Sequence, residues 1–184
     1  NIFPVWDWQR IPGTTTQQIP NPFTDRAAIG VFGKTSFVGS VSAGTDGAAC
    51  LDLDKGALTG HKAWFFFDGG VACLGAGLNC PTDNKVLTSV AQRLLNGQVQ
   101  QGKDSDGQPW VWHDNIGYDF PDGGNIQVRH EAQSGRWSDI GTGSPDLVTK
   151  DVFSIWLDHG SHLDNAQYAY FCLPGVKVDQ IAAK

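Results

Sequence analysis

The 184-residue sequence contains no methionine, and this absence bears first on Asn1. A primary translation product begins with methionine, so Asn1 is expected to arise by processing of a longer chain or by excision from one. Residues 2–16 are rich in aromatic residues and proline, unlike the polar start of a typical independent domain. The sequence therefore predicts that the chain is one part of a larger protein.

Charged residues are few, at 17% of the chain, and no apolar stretch reaches the roughly 18 residues of a membrane-spanning helix. Only 13 residues are Lys or Arg, they are scattered, and the net charge is −6. Because a nucleic-acid groove needs clustered basic residues, neither a nucleic acid nor a membrane is predicted as a partner. Low charge together with 23 glycines favours a turn-rich, all-β architecture.

Cysteine is also scarce, with four residues at positions 50, 73, 80 and 172. No Cys-x-x-Cys occurs and the five histidines lack ligand spacing to these residues, so no zinc site is predicted. The even count permits two disulfides in an oxidising compartment, with Cys73–Cys80 and Cys50–Cys172 as candidate pairs. The alternative is that the four are buried free thiols acting as small apolar side chains.

Short β-rich runs alternate with clusters of Gly, Asp and Asn along the whole chain. Residues 86–95 suit a helix or a strand by periodicity, and their β-branched content favours a strand. The polar stretch 98–108 is predicted to be a hairpin tip. About ten strands spaced by turns predict a large antiparallel β-sandwich in a single domain over 1–184. The other predicted strands are 37–42, 48–53, 62–67, 71–75, 110–112, 116–118, 126–131, 152–157 and 167–173.

Trp6 and Trp8 flank Asp7 at a spacing of two, which places both indoles on one face of an extended strand. Two coplanar indoles form a sugar platform, because the C–H face of a pyranose stacks on an aromatic ring. Alternatively, the two rings cap the core where the chain enters the fold. The spacing leaves both interpretations open.

Two groups of acidic residues have the density of an oxygen-ligand cation site. Asp114, Asp119 and Asp122 form one group, but their spacing matches no EF-hand, and such loops are also common turn sequences. Asp46 and Asp52 belong to a second group around a predicted hairpin, and the same two interpretations apply to them.

Two histidines stand beside an aspartate in sequence, as His113-Asp114 and as Asp158-His159. Adjacent residues of a strand point to opposite faces, so adjacency does not create a catalytic dyad. No Gly-x-Ser-x-Gly elbow accompanies them, which argues against a serine hydrolase. No catalytic residue is predicted within this chain.

Several phrases, taken together and in order, resemble the central β-domain of family eight polysaccharide lyases, which includes chondroitin, hyaluronan and xanthan lyases. The resemblance spans nearly the whole chain, and its specificity lies in the ordered set. The phrases are PVWDWQRIPGTT at 4–15, FVGSVS at 37–42, WFFFD at 64–68, CLGAG at 73–77, HDNIGY at 113–118, GRWSDI at 135–140, DHG at 158–160, NAQYAY at 165–170 and PG at 174–175.

The resemblance implies a galactose-mutarotase-like super-sandwich of antiparallel sheets that lies downstream of an α/α-toroid. In that family the reaction is β-elimination, in which a base removes the proton α to a uronate carboxylate and the glycosidic oxygen leaves. The reaction requires charge neutralisation of the carboxylate and a placed base and acid. The resemblance implies that these residues belong mainly to the toroid, while the β-domain lends one wall of the cleft.

By the match of motifs, the resemblance implies that Asn1 and Trp64 face the cleft as carbohydrate-binding residues. Trp6 and Trp8 join them as carbohydrate-binding candidates.

Some members of the family hold calcium through a Val-Ser-Asp-Gly turn and nearby carboxylates. This chain has Val-Ser-Ala-Gly at 41–44, so Ala43 stands in place of the aspartate. Asp46 and Asp52 remain as candidate metal ligands, and no other cofactor is expected.

The leading hypothesis is the sandwich portion of a secreted, extracellular lyase that acts on an acidic polysaccharide or oligosaccharide and binds its own toroid chain. The 184 residues alone are expected to be inactive in β-elimination. A stand-alone, lectin-like carbohydrate-binding protein and a purely structural module are the alternatives.

Overall fold

The computed structural model describes residues 1–20 and 34–183, and strands dominate them. Twelve strands over these residues form two antiparallel sheets, which confirms the all-β prediction of large antiparallel sheets. The chain divides into two compact units, each of which contains one sheet. The prediction of a single domain over 1–184 stays a prediction.

The first unit comprises Asn1–Val31, Asn84–Leu95 and Asn125–Gly160 and holds a four-stranded sheet. A 3-10 turn, Phe3–Val5, precedes the first strand of this sheet in the chain. A one-turn helix α1, Trp137–Ile140, lies in the chain between residues 126–135 and 148–158, which form two of the strands. The strands are β1 (Thr15–Gln17), β6 (Val86–Leu94), β10 (Ile126–Gly135) and β11 (Val148–Asp158), in the order β1-β6-β11-β10.

The second unit comprises Phe32–Asp83, Asn96–Gly124 and Ser161–Lys184 and holds an eight-stranded sheet. A short helix α2, Val178–Ala182, follows the last strand. In spatial order the strands are β2 (Val38–Ser42), β3 (Gly47–Lys55), β4 (Leu58–Phe67), β5 (Gly70–Cys80), β12 (Leu163–Pro174), β9 (Ile116–Asp119), β8 (Pro109–His113) and β7 (Val99–Lys103).

The strands follow the sequence pattern closely where that pattern is local. Residues 86–94 form the strand β6, as their β-branched content predicted. The β4–β5 hairpin turns at Asp68 and Gly69, and Gly69 adopts a φ of 89° that glycine tolerates without strain. The polar stretch 98–108 differs from the prediction, because residues 99–103 form the edge strand β7 and only the following turn is a tip.

Each unit has its own buried apolar residues. In the first unit, residues 152–157 of β11 are all buried, so both faces of this strand are covered. In the second unit, Leu58, Leu78 and Phe120 are at most 2% exposed. Burying one such side chain stabilises the fold by about 1.5–3 kcal/mol, so these residues supply the main cohesive energy of each sheet.

The two predicted disulfide pairs are wrong, because all four cysteines are free thiols. Cys73 and Cys80 lie on the same strand β5, about 20 Å apart at the rise of an extended chain. Cys50 on β3 and Cys172 on β12 are separated by β4 and β5, which places them at least about 14 Å apart. A disulfide needs Cα atoms within about 7 Å, so neither pair can be bridged.

No helix over residues 1–20 and 34–183 is long and apolar enough to cross a membrane.

Candidate functional site

The aromatic residues nearest the N-terminus form a compact group, here called the N-terminal aromatic cluster, which consists of Phe3, Trp6 and Trp8. The rings of Phe3 and Trp6 stack with centroids 5.5 Å apart and planes 16° apart. Trp6 and Trp8 meet edge to face at 5.3 Å and 63°. The indole N–H of Trp8 donates to the Phe3 carbonyl at 3.3 Å.

The prediction that Trp6 and Trp8 share one face of a strand is therefore wrong. Pro4 lies in the 3-10 turn Phe3–Val5, and its fixed φ suits the start of a helical turn rather than a paired strand. Residues 8 and 9 form a further turn. The stacked pair that the structure brings together is Phe3 with Trp6, which pattern analysis missed because a turn, not a period of two, places them.

Asn1 is exposed, and its side-chain Oδ1 accepts a hydrogen bond from the Phe3 N–H at 3.1 Å. The amide thus caps the 3-10 turn that carries the N-terminal aromatic cluster. The Asn1 side-chain NH₂ group makes no hydrogen bond to a described residue, so it can donate to a ligand hydroxyl.

Gln92 of β6 ties the segment that follows the cluster to the four-stranded sheet. Its Oε1 accepts the Asp7 N–H at 2.7 Å, and its Nε2 donates to the carbonyl oxygens of Asp7 and Arg10 at 3.1 and 3.0 Å. The Arg10 guanidinium bonds the Asp7 carboxylate at 2.6 Å and lies 4.4 Å from the Trp156 ring centroid. These contacts fix the backbone from which Trp6 and Trp8 project.

Trp64 lies on β4 in the second unit and is half-buried. On the same face of the strand, exposure rises from Lys62, at 5%, through Trp64 to Phe66, at 49%. Trp64 and Phe66 are here called the Trp64 surface. Phe66 was missed from sequence, although its spacing of two from Trp64 is the signal that places it on the same face.

Lys62 sits beside this surface, with its Nζ 5.2 Å from the centroid of the Trp64 ring. Burial lowers the pKa of Lys62 from 10.5 to about 8, partly opposed by the nearby Cys73 thiol. Burial raises the pKa of Cys73, and burial together with the neighbouring Cys73 also raises the pKa of Tyr170. Cys73 and Tyr170 therefore stay neutral at pH 7.

The opposite face of the same sheet carries an open groove of about 410 Å³. Its walls include the exposed rings of Phe37 and Phe65, and its rim holds a pair in which His61 Nδ1 and Asp52 Oδ1 are 2.7 Å apart. The β3–β4 register sets Asp52 directly opposite His61. Only that register reveals the pair, since nine residues separate the two in sequence.

The candidate calcium ligands do not fit a shared ion. Asp46 lies in the exposed β2–β3 turn, where its carbonyl accepts the Ala43 N–H at 2.8 Å. Asp52 lies about 20 Å farther along the chain and bonds His61. Across residues 1–20 and 34–183, no three His, Cys, Asp or Glu residues are grouped to hold a metal ion.

The histidine–aspartate neighbours serve the backbone and the core. His113 is fully buried, and its Nε2 accepts the Asn96 N–H at 3.1 Å. His159 Nε2 lies 2.8 Å from the Thr88 hydroxyl, and the Asp158 carboxylate accepts from Lys85 and from the Gly160 N–H.

Comparison with known proteins finds that the model of the polysaccharide lyase family 8 super-sandwich domain matches residues 1–184. Chondroitinase-AC of Pedobacter heparinus is 41% identical over 96% of this chain and 27% of its own length. Xanthan lyase of Bacillus sp. is 32% identical over 100% of this chain and 22% of its own length. The chain thus spans about a quarter of the length of the curated relatives it matches.

Solved structures agree with this match. A chondroitinase AC lyase structure, from a study of enzyme–oligosaccharide complexes, superposes with a TM-score of 0.89 at 41% identity, over 98% of this chain and 29% of that one. The Streptomyces coelicolor chondroitin AC lyase in complex with chondroitin sulphate gives a TM-score of 0.85 at 31% identity, over 96% of this chain and 24% of that one.

Proposed function

Since the chain belongs to polysaccharide lyase family 8, in which it forms the super-sandwich domain, we propose that it serves within a secreted lyase that cleaves acidic glycans by β-elimination. The observation that carries the proposal is a 41% identity to a chondroitinase over 96% of the chain. Chondroitin, hyaluronan and xanthan, named in the relatives, share the uronate that this chemistry needs.

The chain's contribution is to bind sugar rather than to move protons. The Trp64 surface offers an indole face and a phenyl ring, against which pyranose C–H groups stack. Asn1 and the N-terminal aromatic cluster supply a hydrogen-bonding amide and two further indoles. We assign the base, the acid and the groups that neutralise the uronate carboxylate to an α/α-toroid outside these 184 residues.

This division of labour is supported by the side chains present. His113 and His159 are hydrogen-bonded to the Asn96 N–H and to the Thr88 hydroxyl, respectively. Aromatic rings on a rigid sheet give orientation at low entropic cost, which is what a cleft wall must supply to a reaction elsewhere.

The direct test measures binding and turnover of the 184-residue chain separately. Calorimetric titration with a chondroitin tetrasaccharide is expected to show binding that Trp64→Ala weakens by about tenfold, the value of one stacked ring of roughly 1.4 kcal/mol. Trp112→Phe is the matched control, because the Trp112 indole donates to the Val176 carbonyl and carries no assigned sugar contact.

Turnover is followed by the ultraviolet absorbance of unsaturated uronate with chondroitin, hyaluronan and xanthan as substrates. The chain alone is expected to give none, and addition of a toroid domain from a relative is expected to restore it. Robust turnover by the chain alone would contradict the placement of the proton-transfer residues. Agglutination of glycan-coated beads, unaffected by the toroid, would instead identify a stand-alone binding protein.

A further inference from the structure

The sugar contact proposed for Trp64 leaves the opposite face of the same sheet without a function. That face carries the open groove of about 410 Å³, which lies over β3, β4 and β5 with Phe37 beside it. Its volume falls within the roughly 300–1,000 Å³ of small-molecule sites. The strand register gives its layout, because directly opposite residues of an antiparallel sheet share a face.

The floor of the groove is formed by small side chains in the middle of the three strands. Cys50 pairs with Ala63, and Ala63 pairs with Leu74. Two residues farther along β4, Phe65 stands on the same face, opposite Ala48 of β3. The floor is therefore lower than the row that contains Phe65, and this difference in side-chain size creates one wall.

The other wall contains Phe37 and the pair of Asp52 and His61. The Asp52 N–H donates to the Phe37 carbonyl at 3.0 Å, which holds Phe37 beside β3. His61 and Phe65 are four residues apart on β4, so the two walls are separated by about 13 Å at the backbone. The rings of Phe37 and Phe65 are 57% and 46% exposed, and their apolar faces are accessible from the groove.

The Asp52 carboxylate fixes the hydrogen-bonding role of the His61 ring. A carboxylate only accepts hydrogen bonds, so the His61 Nδ1, 2.7 Å from Asp52 Oδ1, carries the proton. In the neutral ring the second nitrogen, Nε2, is then an acceptor. No residue in the described part of the chain bonds this Nε2, and Gly77, whose added Cβ would lie 4.0 Å from it, leaves the space beside it open.

The polar wall thus offers acceptors, and its charge disfavours an anion. Asp52 is negative, and the next carboxylate on the same face of β3, that of Asp54, is paired with Lys34 at 3.6 Å. A sugar carboxylate or sulfate would meet the Asp52 charge, whereas a hydroxyl can donate to Nε2. Apolar rings and a hydroxyl acceptor together match the C–H faces and the hydroxyl edge of an uncharged pyranose.

We propose that this groove is a second carbohydrate-binding site, which takes an uncharged pyranose unit of a glycan. The sugar stacks its C–H face on Phe65 and donates a hydroxyl hydrogen to His61 Nε2, while Asp52 positions the imidazole. The site rests on the proposed function only in taking a glycan as its ligand. Because it lies on the face opposite Trp64, a glycan held there raises the effective concentration of glycan at the Trp64 surface.

The test titrates the 184-residue chain with an uncharged probe, a chondroitin tetrasaccharide that has been desulfated and whose carboxylates have been reduced to alcohols. Nuclear magnetic resonance of the imidazole nitrogens reports on His61 directly. The Nε2 signal of His61 is expected to shift saturably with the probe. His162 is the internal control, because it is also exposed and paired with an aspartate, Asp83, at 2.8 Å, and its signals should not move.

Calorimetric titration of variants with the same probe measures each contact. Phe65→Ala is expected to weaken binding in the groove by about tenfold, the value of one stacked ring. His61→Phe keeps an aromatic ring but removes the acceptor, and it is expected to weaken binding by about threefold to tenfold. Val38→Ala is the matched control, since Val38 is an exposed apolar residue next to Phe37 that does not line the groove.

The outcomes separate this site from the contact proposed for Trp64. A His61 signal that stays fixed at saturating probe, or a Phe65→Ala variant that binds as the wild type does, would overturn the second site and leave the Trp64 contact untouched. A His61 shift that persists in Trp64→Ala supports the groove even if the Trp64 contact fails. Self-association without probe that Phe65→Ala abolishes, measured by sedimentation velocity, would assign the groove to a second copy of the chain and overturn the proposal.

Discussion

The Gln92 side chain makes two hydrogen bonds to the backbone of Asp7. Its Oε1 accepts the Asp7 N–H at 2.7 Å, and its Nε2 donates to the Asp7 carbonyl at 3.1 Å. The two residues are 85 positions apart, so this contact joins the N-terminal segment to the middle strand region of the four-stranded sheet. The orientation of Trp6 and Trp8 thereby depends on one amide of β6.

Gln92→Glu should keep the hydrogen bond that this side chain accepts and remove the two that it donates. A carboxylate still accepts the Asp7 N–H but cannot donate to the carbonyl oxygens of Asp7 and Arg10. We expect a loss of about 2–3 kcal/mol in the free energy of unfolding, measured by urea denaturation. The exposed Gln101→Glu should change it by less than about 0.5 kcal/mol. Equal stability of both variants would contradict the structural role of Gln92.

Gly75→Ala should destabilise the second unit strongly, because its Cβ would enter the space that the Tyr168 ring occupies. Overpacking of this kind costs about 1–3 kcal/mol. Gly39→Ala on the edge strand β2 is the matched control, since nothing lies within 4 Å of its added Cβ. Thermal unfolding is expected to shift downward for the first variant only, and a similar melting temperature for both would be inconsistent with the packing of Tyr168.

Lys62→Met should alter the pH dependence of stability. The folded-state pKa, about 8, lies below the ordinary 10.5, so the unfolded chain binds more protons and wild-type stability rises with pH between 8 and 10.5. Relative to the wild type, the variant should gain on the order of 3 kcal/mol below pH 8, and this advantage should vanish near pH 10.5. Urea denaturation of both proteins from pH 7 to 10.5 measures this difference in the free energy of unfolding. A difference that does not change with pH would contradict the lowered pKa of Lys62.

Asp158→Asn should destabilise the first unit at neutral pH. Burial alone raises the pKa of Asp158, but the bonds from Lys85 and from the Gly160 N–H outweigh it and leave the pKa below its usual value. The carboxylate therefore stabilises the fold above the unfolded pKa, near 3.9, and this contribution is lost as the pH falls through the folded value.

We expect a loss of about 1–2 kcal/mol at pH 7 for Asp158→Asn, and this loss should shrink as the pH falls below about 3.9 toward the lowered folded-state pKa. The exposed Asp164→Asn is the matched control and should be close to neutral throughout. Urea denaturation of both variants at pH 7 and at pH 3 checks the pair. A deficit that persists undiminished at pH 3 would point to packing rather than charge.

The residues that pattern analysis placed correctly are those whose environment repeats along the strand. Residues 62–67 read as a strand, and the turn after them follows from Asp68 and Gly69, because both signals are local. The same analysis was wrong for Trp6 and Trp8, because Pro4 lies in the 3-10 turn Phe3–Val5, which removes the extended geometry that a spacing of two assumes. A period predicts a face only when the backbone is regular.

By itself the sequence determined the all-β class, most strand positions and the family, because alternation, turn residues and ordered motifs are all properties of contiguous residues. The tertiary structure alone decided which side chains meet. Strand order separated Cys50 from Cys172, and register placed Asp52 opposite His61 and Tyr168 over Gly75 beside Lys62. These partners are distant in the chain, and only the pairing of whole strands in one register brings them together.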